Sequence, residues 1–469
     1  ATADFPAARL RPRRPGSTTF RREMFIQTER RFSSCGGNGS RKSRLLFGFF
    51  LGASALSQAA GSDGLTCLPY FEAPPKPGQV VTEHNGIALT DVCIGEGTTF
   101  HVFVIGDWGG VRYSNDTKPT PADHRSHLFP KFARDFVPDV DNCAQQRVAG
   151  QMQSWARNLN PDYVLNVGDN FYWGGVETSC GRNPDVEGFA FEQWGPIYEH
   201  MYKGPGLDKK PWLGVLGNHD YGGYSFTAAW DESIRYTWGA GAIDSSGRWM
   251  TPAQYWQVLV HYRGFSVDYY FMDTNVYDTW QITQQMNHNI CGELHNKPHA
   301  NCTETGGPRS LSACNSWFTD LWDLQVTWIE QQLNKSTADW QVVVTHFPPE
   351  YDPKFWSSLS QRHGIDLIIA GHRHYQMVRA AEDDSNEITG TAVIISGGGG
   401  GITSERKPDL MGDDDAYGFV DLHLSKTMIK VTAITHGGSV RKVVEVIPRQ
   451  PAPRRSKEKS QYEERSQYV

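Results

Sequence analysis

Apolar runs that end in a glycine followed by a polar residue recur along the first half of the chain. Three such runs, Phe100–Gly106, Tyr163–Val167 and Trp212–Leu216, close on Gly-Asp or Gly-Asn. Short apolar runs bounded by turn residues are typical of buried strands. Between the first two runs, apolar residues recur every three or four positions through Cys143–Leu159, which predicts a helix, and Phe189–Tyr202 has a similar pattern.

The later part of the chain is richer in strand-forming residues and has one predicted amphipathic helix, Leu324–Leu333. Strands that alternate with helices, followed mostly by strands, predict an α/β fold in which two mixed β-sheets pack together between helices. In open α/β sheets, ligands bind at the carboxyl ends of the strands. The later strands are predicted at Val267–Asp273, Gln341–Thr345, Ile365–Ala370, Thr391–Ser396, Tyr417–Leu424 and Met428–Thr435.

Two segments differ from the alternating pattern. Residues 281–320 form a polar insertion with three cysteines, and we expect a surface loop that is fixed by a disulfide. Residues 448–469 are rich in proline, charge and serine, which is typical of a disordered tail.

The beginning of the chain has the composition of a targeting segment. Residues 1–44 carry 11 Lys and Arg against 3 Asp and Glu, and the apolar run Leu45–Leu56 and several small residues follow. This order is typical of a secretory signal, so residues 1–60 are interpreted as an Arg-rich leader with a signal peptide or anchor. Because the basic region is long, a start at Met24, an uncleaved anchor, a two-part organelle address and a buried helix are alternatives.

The cysteines and sequons indicate an oxidising compartment. None of the eight cysteines belongs to a CxxC pair, which disfavours a zinc knuckle or a thioredoxin-type motif. Seven follow residue 60, so at least one is expected to be unpaired. With the leader, the candidate glycosylation sites Asn115, Asn301 and Asn334 predict the secretory pathway and a secreted, lysosome- or vacuole-like, or cell-surface protein.

The charge balance limits the classes of partner. After residue 44 the chain carries 34 basic and 49 acidic residues, with no basic stripe. Nucleic acid is therefore not expected as a partner, because its phosphates need neutralising. No stable protein partner is indicated, and membrane contact is expected only if residues 45–60 stay uncleaved.

Five short motifs at predicted strand ends carry seven side chains of metal-binding type. Two carboxylates, one amide, one phenol and three imidazoles are enough to hold two metal ions about 4 Å apart, and such centres catalyse in-line displacement at phosphorus. The motifs are GDWGG, GDNFY, GNHD, VVTHF and GHRH, and their candidate ligands are Asp107, Asp169, Tyr172, Asn218, His346, His372 and His374.

The residue types constrain the metals. Tyr172 follows Asp169 by three residues, a spacing that a tight turn folds onto one ion. A phenolate favours Fe(III) over Mg(II) or Zn(II), because only a strongly charged ion lowers the phenol pKa far enough from about 10. His372 and His374 share one side of an extended segment, so they can serve two adjacent ions. Four other histidines are interpreted as ordinary core or surface residues: His288, His295, His299 and His363.

The order of these motifs resembles the purple acid phosphatases of the calcineurin-like metallophosphoesterase superfamily, particularly the small tartrate-resistant type. The similarity extends from about Phe100 to Val446 and includes VTWIEQQLN, DWQVVVTHFP and YYFMDT. Tyr172 distinguishes this family from related serine/threonine phosphatases, nucleotidases and nucleases. The resemblance implies a four-layer sandwich, a dinuclear site at strand carboxyl ends, and a catalytic domain over residues 97–447.

The resemblance also implies a role for each residue. The expected reaction is hydrolysis of a phosphate monoester in mild acid by an Fe(III)-bound hydroxide, with His219 contacting the phosphate and assisting the leaving group. The second ion would be Fe(II), Zn(II) or Mn(II). The implied ligand sets are Asp107, Tyr172 and His374 for Fe(III), Asn218, His346 and His372 for the divalent ion, and Asp169 as the bridge.

One position departs from the small mammalian-type enzymes, which carry another histidine nine residues after the V-x-x-H ligand. This chain has Phe355 there, in a predicted loop Phe347–Phe355. Either His219 acts alone, or a loop acid, Glu350 or Asp352, contributes. Glu350 is the candidate, and the alternative is that it is a solvated loop acid.

Two other functions fit the motifs less well. One is a metallophosphoesterase that acts on diesters or nucleotides. The other is a non-catalytic, membrane-associated scaffold, as in the motor-anchoring relatives of apicomplexans. Such a scaffold is expected to have lost ligands and to carry a C-terminal membrane span, whereas this chain has all seven ligands and a polar C-terminus.

Overall fold

The computed structural model of the protein describes residues 67–95, 97–110, 134–181, 193–239, 245–284 and 288–449. The predicted leader, Asn115 and residues 450–469 lie outside this part of the chain.

Most of the described chain consists of strands and helices. The strands are β1 (Ile87–Ala88), β2 (Val92–Cys93), β3 (Phe100–Ile105), β4 (Tyr163–Asn166), β5 (Trp212–Gly214), β6 (Trp249–Met250), β7 (Trp256–Tyr262), β8 (Phe265–Phe271), β9 (Trp340–Val344), β10 (Leu367–Ala370), β11 (Gln376–Arg379), β12 (Ala392–Ser396), β13 (Gly418–Leu424), β14 (Ile429–Thr435) and β15 (Val440–Val446). The α-helices are α1 (Ala144–Leu159), α2 (Trp230–Arg235), α3 (Leu311–Lys335) and α4 (Pro353–His363).

The strands form two mixed sheets. One has the order β15-β14-β13-β3-β4-β5-β6, with β3, β4 and β5 parallel to one another. The other has the order β1-β7-β8-β9-β10-β12-β11, with β8, β9, β10 and β12 parallel, and β2 pairs with β7. Each sheet therefore places several strand carboxyl ends at one edge.

The two sheets pack face to face between helices. Because side chains alternate along a strand, Val102 and Val104 of β3 face the apolar layer between the sheets, and Phe103 and Ile105 face α1. On the other sheet, Ile368 of β10 belongs to the cluster that contains residues of α3 and α4. The expected four-layer α/β architecture is confirmed.

Several predicted boundaries are wrong. The helix expected at Leu324–Leu333 begins at Leu311, so the end of the expected 281–320 loop is helical. Ser310 caps this helix by accepting a hydrogen bond from the Ala313 amide at 3.2 Å. The predicted loop Phe347–Phe355 likewise runs into α4, whose N-cap is Asp352.

Two further differences concern elements rather than boundaries. In the expected helix Phe189–Tyr202, the structure has a short π-helical segment at Gly195–Glu199, and residues 189–192 are not described. The strands β1, β2, β6, β7, β11 and β15 lie where no strand is predicted.

Disulfides fix the loops around the sheets. Cys291 and Cys314 are bonded, as expected for the 281–320 segment, and Cys180 is bonded to Cys302. Cys67 is bonded to Cys93, and Cys143 is also disulfide-bonded. No cysteine of the described residues is free. The expectation that at least one of the seven cysteines after residue 60 is unpaired is therefore wrong.

Candidate metal centre

Five loops that follow parallel strands bring the seven predicted ligands together. The loops follow β3, β4 and β5 of one sheet and β9 and β10 of the other. Parallel strands present their carboxyl ends at one edge, so residues just after them meet there. The structure thus places all seven side chains in one cluster, as the contacts below describe.

The first group of atoms surrounds the phenol oxygen of Tyr172. This oxygen lies 3.0 Å from Oδ1 of Asp107, 2.8 Å from Oδ2 of Asp169 and 3.1 Å from Nε2 of His374. Nε2 of His374 is also 3.1 Å from Oδ1 of Asp107. Four donor atoms of the types that hold an iron ion therefore face one point.

The second group lies around the amide oxygen of Asn218. This oxygen is 3.1 Å from Nε2 of His346 and 3.3 Å from Nδ1 of His372. Nε2 of His346 lies 3.3 Å from Oδ2 of Asp169, the same oxygen that contacts Tyr172. Asp169 therefore belongs to both groups, and each group keeps its carboxylate and imidazole atoms within 4.8 Å of one another.

Three of the ligands have a backbone conformation that side chains rarely adopt. The φ angles are 57° at Asp107, 53° at Asp169 and 65° at His372. A left-handed conformation at a non-glycine residue costs about 1–3 kcal/mol and is concentrated at functional sites. The surrounding fold therefore maintains a strained geometry at these positions, and that geometry turns the side chains into the cluster.

Glycines of the motifs allow the loops to approach closely. A Cβ atom on Gly217 would lie 2.2 Å from Oδ1 of Asp169, and one on Gly401 would lie 2.8 Å from the Tyr172 ring. The Gly401 amide donates to the carbonyl of Asp107 at 2.9 Å. The glycine run at 397–401 thus packs directly against the loop after β3, which contains Asp107.

The cluster has an electrostatic environment that suits a cation. Burial raises the pKa of Asp107 to about 8, and the neighbouring Asp169 raises it as well. Burial would also raise the pKa of Asp169, but the imidazoles of His346, His219 and His372 together outweigh burial and lower that pKa far below its usual value. Two buried carboxylates at one site repel each other when both are ionised, and a bound cation removes this cost.

The histidine side chains are oriented by partners outside the cluster. Nδ1 of His346 lies 2.8 Å from the carbonyl oxygen of Val167 and donates to it, so Nε2 is directed toward the cluster. Nε2 of His372 lies 2.8 Å from the hydroxyl of Tyr351, and its Nδ1 faces Asn218. Outer partners of this kind fix the ring orientation of metal-binding histidines.

His219 lies beside the cluster. Its ring centroid is 4.4 Å from that of Tyr172, and its amide donates to Oδ1 of Asp169 at 2.8 Å. Nδ1 of His219 lies 2.5 Å from the carbonyl oxygen of Trp173, and burial lowers the pKa of the imidazole. The ring of His219 is thus held next to the candidate ligands.

Glu350 lies against two arginines. Its Oε1 is 3.1 Å from Nε of Arg373, and its Oε2 is 3.6 Å from a terminal nitrogen of Arg379. These ion pairs direct the carboxylate toward the arginines and attach the GHRH segment to the loop after β9. Its predicted catalytic role stays a prediction and gains no support from this position.

Sequence reasoning missed three residues near the centre: Tyr351, Asp220 and His288. The Asp220 carboxylate accepts hydrogen bonds from the amides of Gly217 and Asn170 at 2.7 and 3.0 Å, so it ties two ligand loops together. The acid of GNHD is the one signal in the sequence that points to Asp220. His288, which the sequence places among the ordinary histidines, lies close to Asn218 and His219. Residue spacing could not have shown this, because the contact depends on the path of the chain after β8.

Two of the three candidate glycosylation sites can be located. Asn301 and Asn334 are exposed, Asn301 before a short turn and Asn334 near the end of α3. Exposure is compatible with glycosylation, which stays a prediction at both sites.

The chain matches one known family over more than half of its length. The model of the family described as calcineurin-like phosphoesterase matches residues 100–376. This interval contains all seven candidate ligands.

Curated relatives include two groups of acid phosphatases. The chain is 24% identical over 282 residues to tartrate-resistant acid phosphatase type 5 of Sus scrofa, which covers 58% of this chain and 62% of the pig protein. It is 27% identical over 250 residues to purple acid phosphatase 17 of Arabidopsis thaliana, which covers 51% of this chain and 60% of the plant protein. The chain therefore spans about three fifths of the length of these relatives.

Two solved structures are similar at low identity. One is described as the anchor in the inner membrane complex of Plasmodium, with a TM-score of 0.47, 17% identity and coverage of 75% of this chain and 90% of that one. The other is a purple acid phosphatase from yellow lupin seeds, with a TM-score of 0.41, 13% identity and coverage of 77% and 56%.

Proposed function

The chain belongs to the calcineurin-like phosphoesterase family, and on this premise we propose that it is an acid phosphatase that hydrolyses phosphate monoesters at a dinuclear metal centre. We assign residues 97–447 to the catalytic domain, with residues 281–320 as an insertion. The observation that carries the proposal is the sharing of Asp169 between two groups of metal-binding atoms.

The donor set fits two different metal ions. Asp107, Tyr172 and His374 would hold Fe(III), because burial and two adjacent carboxylates raise the phenol pKa of Tyr172 well above its usual value, and only a strongly charged ion overcomes this. The other set, which lacks a phenol, consists of Asn218, His346 and His372 and would hold Fe(II), Zn(II) or Mn(II). Asp169 would bridge the ions.

The chemistry divides between the ions and the chain. When bound, such a pair of ions lowers the pKa of water to give a hydroxide nucleophile and offsets the charge that develops on the phosphoryl oxygens. His219 contacts the phosphate from beside Tyr172 and assists departure of the leaving group. Tyr351, Val167 and Asp220 position the ligands through the hydrogen bonds described above.

We also propose that the protein works in the secretory pathway. Three disulfides with both partners described, Cys67–Cys93, Cys180–Cys302 and Cys291–Cys314, are typical of an oxidising compartment. Within the described ranges, no helix combines the length and the apolar character needed to cross a membrane.

A substrate panel tests the proposed function. The purified full chain, loaded with iron and zinc, is assayed at pH 5 with 4-nitrophenyl phosphate, bis(4-nitrophenyl) phosphate and a nucleoside monophosphate. We expect turnover of the simple monoester, and Asp169→Asn is the matched control that excludes a contaminating phosphatase. Preference for the diester or the nucleotide would support the related phosphodiesterase or nucleotidase function. Absence of both turnover and bound metal would support a non-catalytic scaffold.

A further inference from the structure

The position that carries a histidine in small mammalian-type relatives does not reach the metal centre in this chain. The ring of Phe355 packs against Trp322 and Trp356, with centroid distances of 5.2 and 5.0 Å. These residues belong to the helical layer formed by α3 and α4. The side chain of Phe355 is therefore directed into this layer and not toward the candidate ligands.

A second imidazole approaches the centre from a different segment. The ring centroid of His288 lies 5.3 Å from that of His219, and its Nδ1 is 3.4 Å from the amide nitrogen of Asn218. His288 follows β8 in the chain and precedes α3, so it enters the site over the GNHD loop. Two imidazoles thus lie side by side next to one group of candidate ligands.

The ring of His288 is held in place on two sides. It stacks on Tyr224 with a centroid distance of 5.0 Å and an interplanar angle of 22°. Nδ1 lies 3.8 Å from Oδ2 of the buried Asp278. The side chain is nevertheless 23% exposed, so a small ligand can contact it. A ring with a fixed orientation and an accessible edge is suited to donate a hydrogen bond to substrate.

We propose that His288 is a catalytic residue that donates a hydrogen bond to the leaving-group oxygen of the phosphate ester. This inference rests on the proposed phosphatase function and adds a second residue, next to His219, that contacts the departing group. Negative charge develops on the ester oxygen as its bond to phosphorus breaks, and a fixed donor stabilises that charge. Asp278 and Tyr224 are positioning residues, because they act through the ring of His288.

Leaving-group dependence tests this role. The kcat/KM of His288→Ala is compared with that of the wild type on 4-nitrophenyl phosphate and on an alkyl phosphate, ethyl phosphate. Ethyl phosphate releases an alkoxide, whose charge needs stabilisation, whereas 4-nitrophenyl phosphate releases nitrophenolate, whose charge does not. We therefore expect kcat/KM to fall by about 100-fold on the alkyl ester and by less than about 10-fold on the aryl ester. His288→Gln keeps a donor group and should restore part of the alkyl activity.

His295→Ala is the matched control. His295 contacts the same Tyr224, with a centroid distance of 4.9 Å, but lies one ring farther from the cluster. We expect both substrates to be turned over as by the wild type. Metal content of each variant is measured as well, because His288 contacts the candidate ligand Asn218.

Four results would overturn the inference. An equal loss on both esters, or a loss that follows metal content, would mean that His288 acts only on the metal ligands. No loss on either ester would mean that it does not contact the substrate. If the metal-loaded wild type turns over neither ester, the proposed function itself is contradicted and the role of His288 falls with it.

Discussion

The hydroxyl of Tyr351 lies 2.8 Å from Nε2 of His372, on the opposite side of the imidazole from Asn218. When Nδ1 binds a metal, Nε2 carries the proton and donates it to the tyrosine oxygen. A partner of this kind holds the ring in the binding orientation before the metal arrives. Tyr351 is therefore expected to increase the affinity for the divalent ion more than the affinity for iron, because it contacts His372 and not the iron ligand His374.

Tyr351→Phe should weaken the divalent site. Outer partners of metal-binding histidines are worth about 10–100-fold in metal affinity, and we expect a loss of this size for zinc with iron retained. Competition with a chelator, followed by elemental analysis, measures it. Tyr375→Phe is the control. Tyr375 directly follows the GHRH motif, and its ring packs against the guanidinium of Arg406 at a distance of 4.0 Å. Equal zinc affinity in both variants would contradict the role of Tyr351.

Tyr172→Phe should remove the visible colour of the iron-loaded protein. The phenol oxygen contacts two carboxylates and one imidazole of the first group, so its loss removes the proposed phenolate bond to iron without a change in side-chain shape. The visible absorption spectrum at equal protein concentration measures the effect, and circular dichroism shows whether the variant is folded. An unchanged band would refute Tyr172 as a ligand.

His219→Ala should retain both metals and lose turnover. The imidazole of His219 is adjacent to the ligands but belongs to neither group of ligand atoms. Acid–base and phosphate-contacting side chains are worth about 10²–10⁴-fold in rate. Steady-state kinetics on 4-nitrophenyl phosphate and metal analysis of the same sample provide the two measurements. A kcat close to that of the wild type would exclude a catalytic role.

The carboxyl of Glu232 should make stability depend on pH. Burial raises its pKa to about 7, and Asp231 raises it as well. The folded protein thus binds this proton more tightly than the unfolded chain, so the resulting stabilisation is present in acid and is lost as the pH rises through 7. Glu232→Gln should increase the free energy of unfolding at pH 8 by about 2 kcal/mol relative to its effect at pH 5.

Chemical denaturation of the wild type and of Glu232→Gln at pH 5 and pH 8 measures this difference. Glu330→Gln is the control, because Glu330 is 42% exposed on α3. Because its ion pair with Arg362 is exposed, we expect the control to change the free energy of unfolding by less than about 1 kcal/mol. Equal effects of Glu232→Gln at the two pH values would contradict a carboxyl that is kept protonated by burial.

The strands that carry ligands were predictable because they are buried on both faces. β3, β4 and β10 are almost entirely apolar and are followed by the polar ligand motif, which gives a clear boundary. In β15 the first four residues, from Val440 to Val443, are exposed, so the sequence has no comparable apolar run. β7 alternates buried and half-buried residues and includes a histidine and a glutamine, which obscures the pattern.

The site was predictable where a side chain lies in a short motif after a strand, and not where it reaches the site through a long connection. His346 and Asp169 come within three residues of a strand end, so the sheet alone places them. His288 reaches the site through the fold of a long connection, and its contacts with Asn218 and Tyr224 join residues far apart in sequence. Glu350 and Tyr351 are neighbours in sequence, and only side-chain direction shows which of them contacts His372.

Metal content combined with a visible spectrum tests the dinuclear centre most directly. The purified full chain is supplied with iron and zinc, dialysed, and analysed for both elements beside Asp169→Asn. We predict two metal equivalents per chain, one of them iron with a visible absorption band, and loss of both from the variant, because Asp169 contacts both groups. Retention of less than one equivalent by the wild type, or two equivalents in Asp169→Asn, would contradict the shared centre.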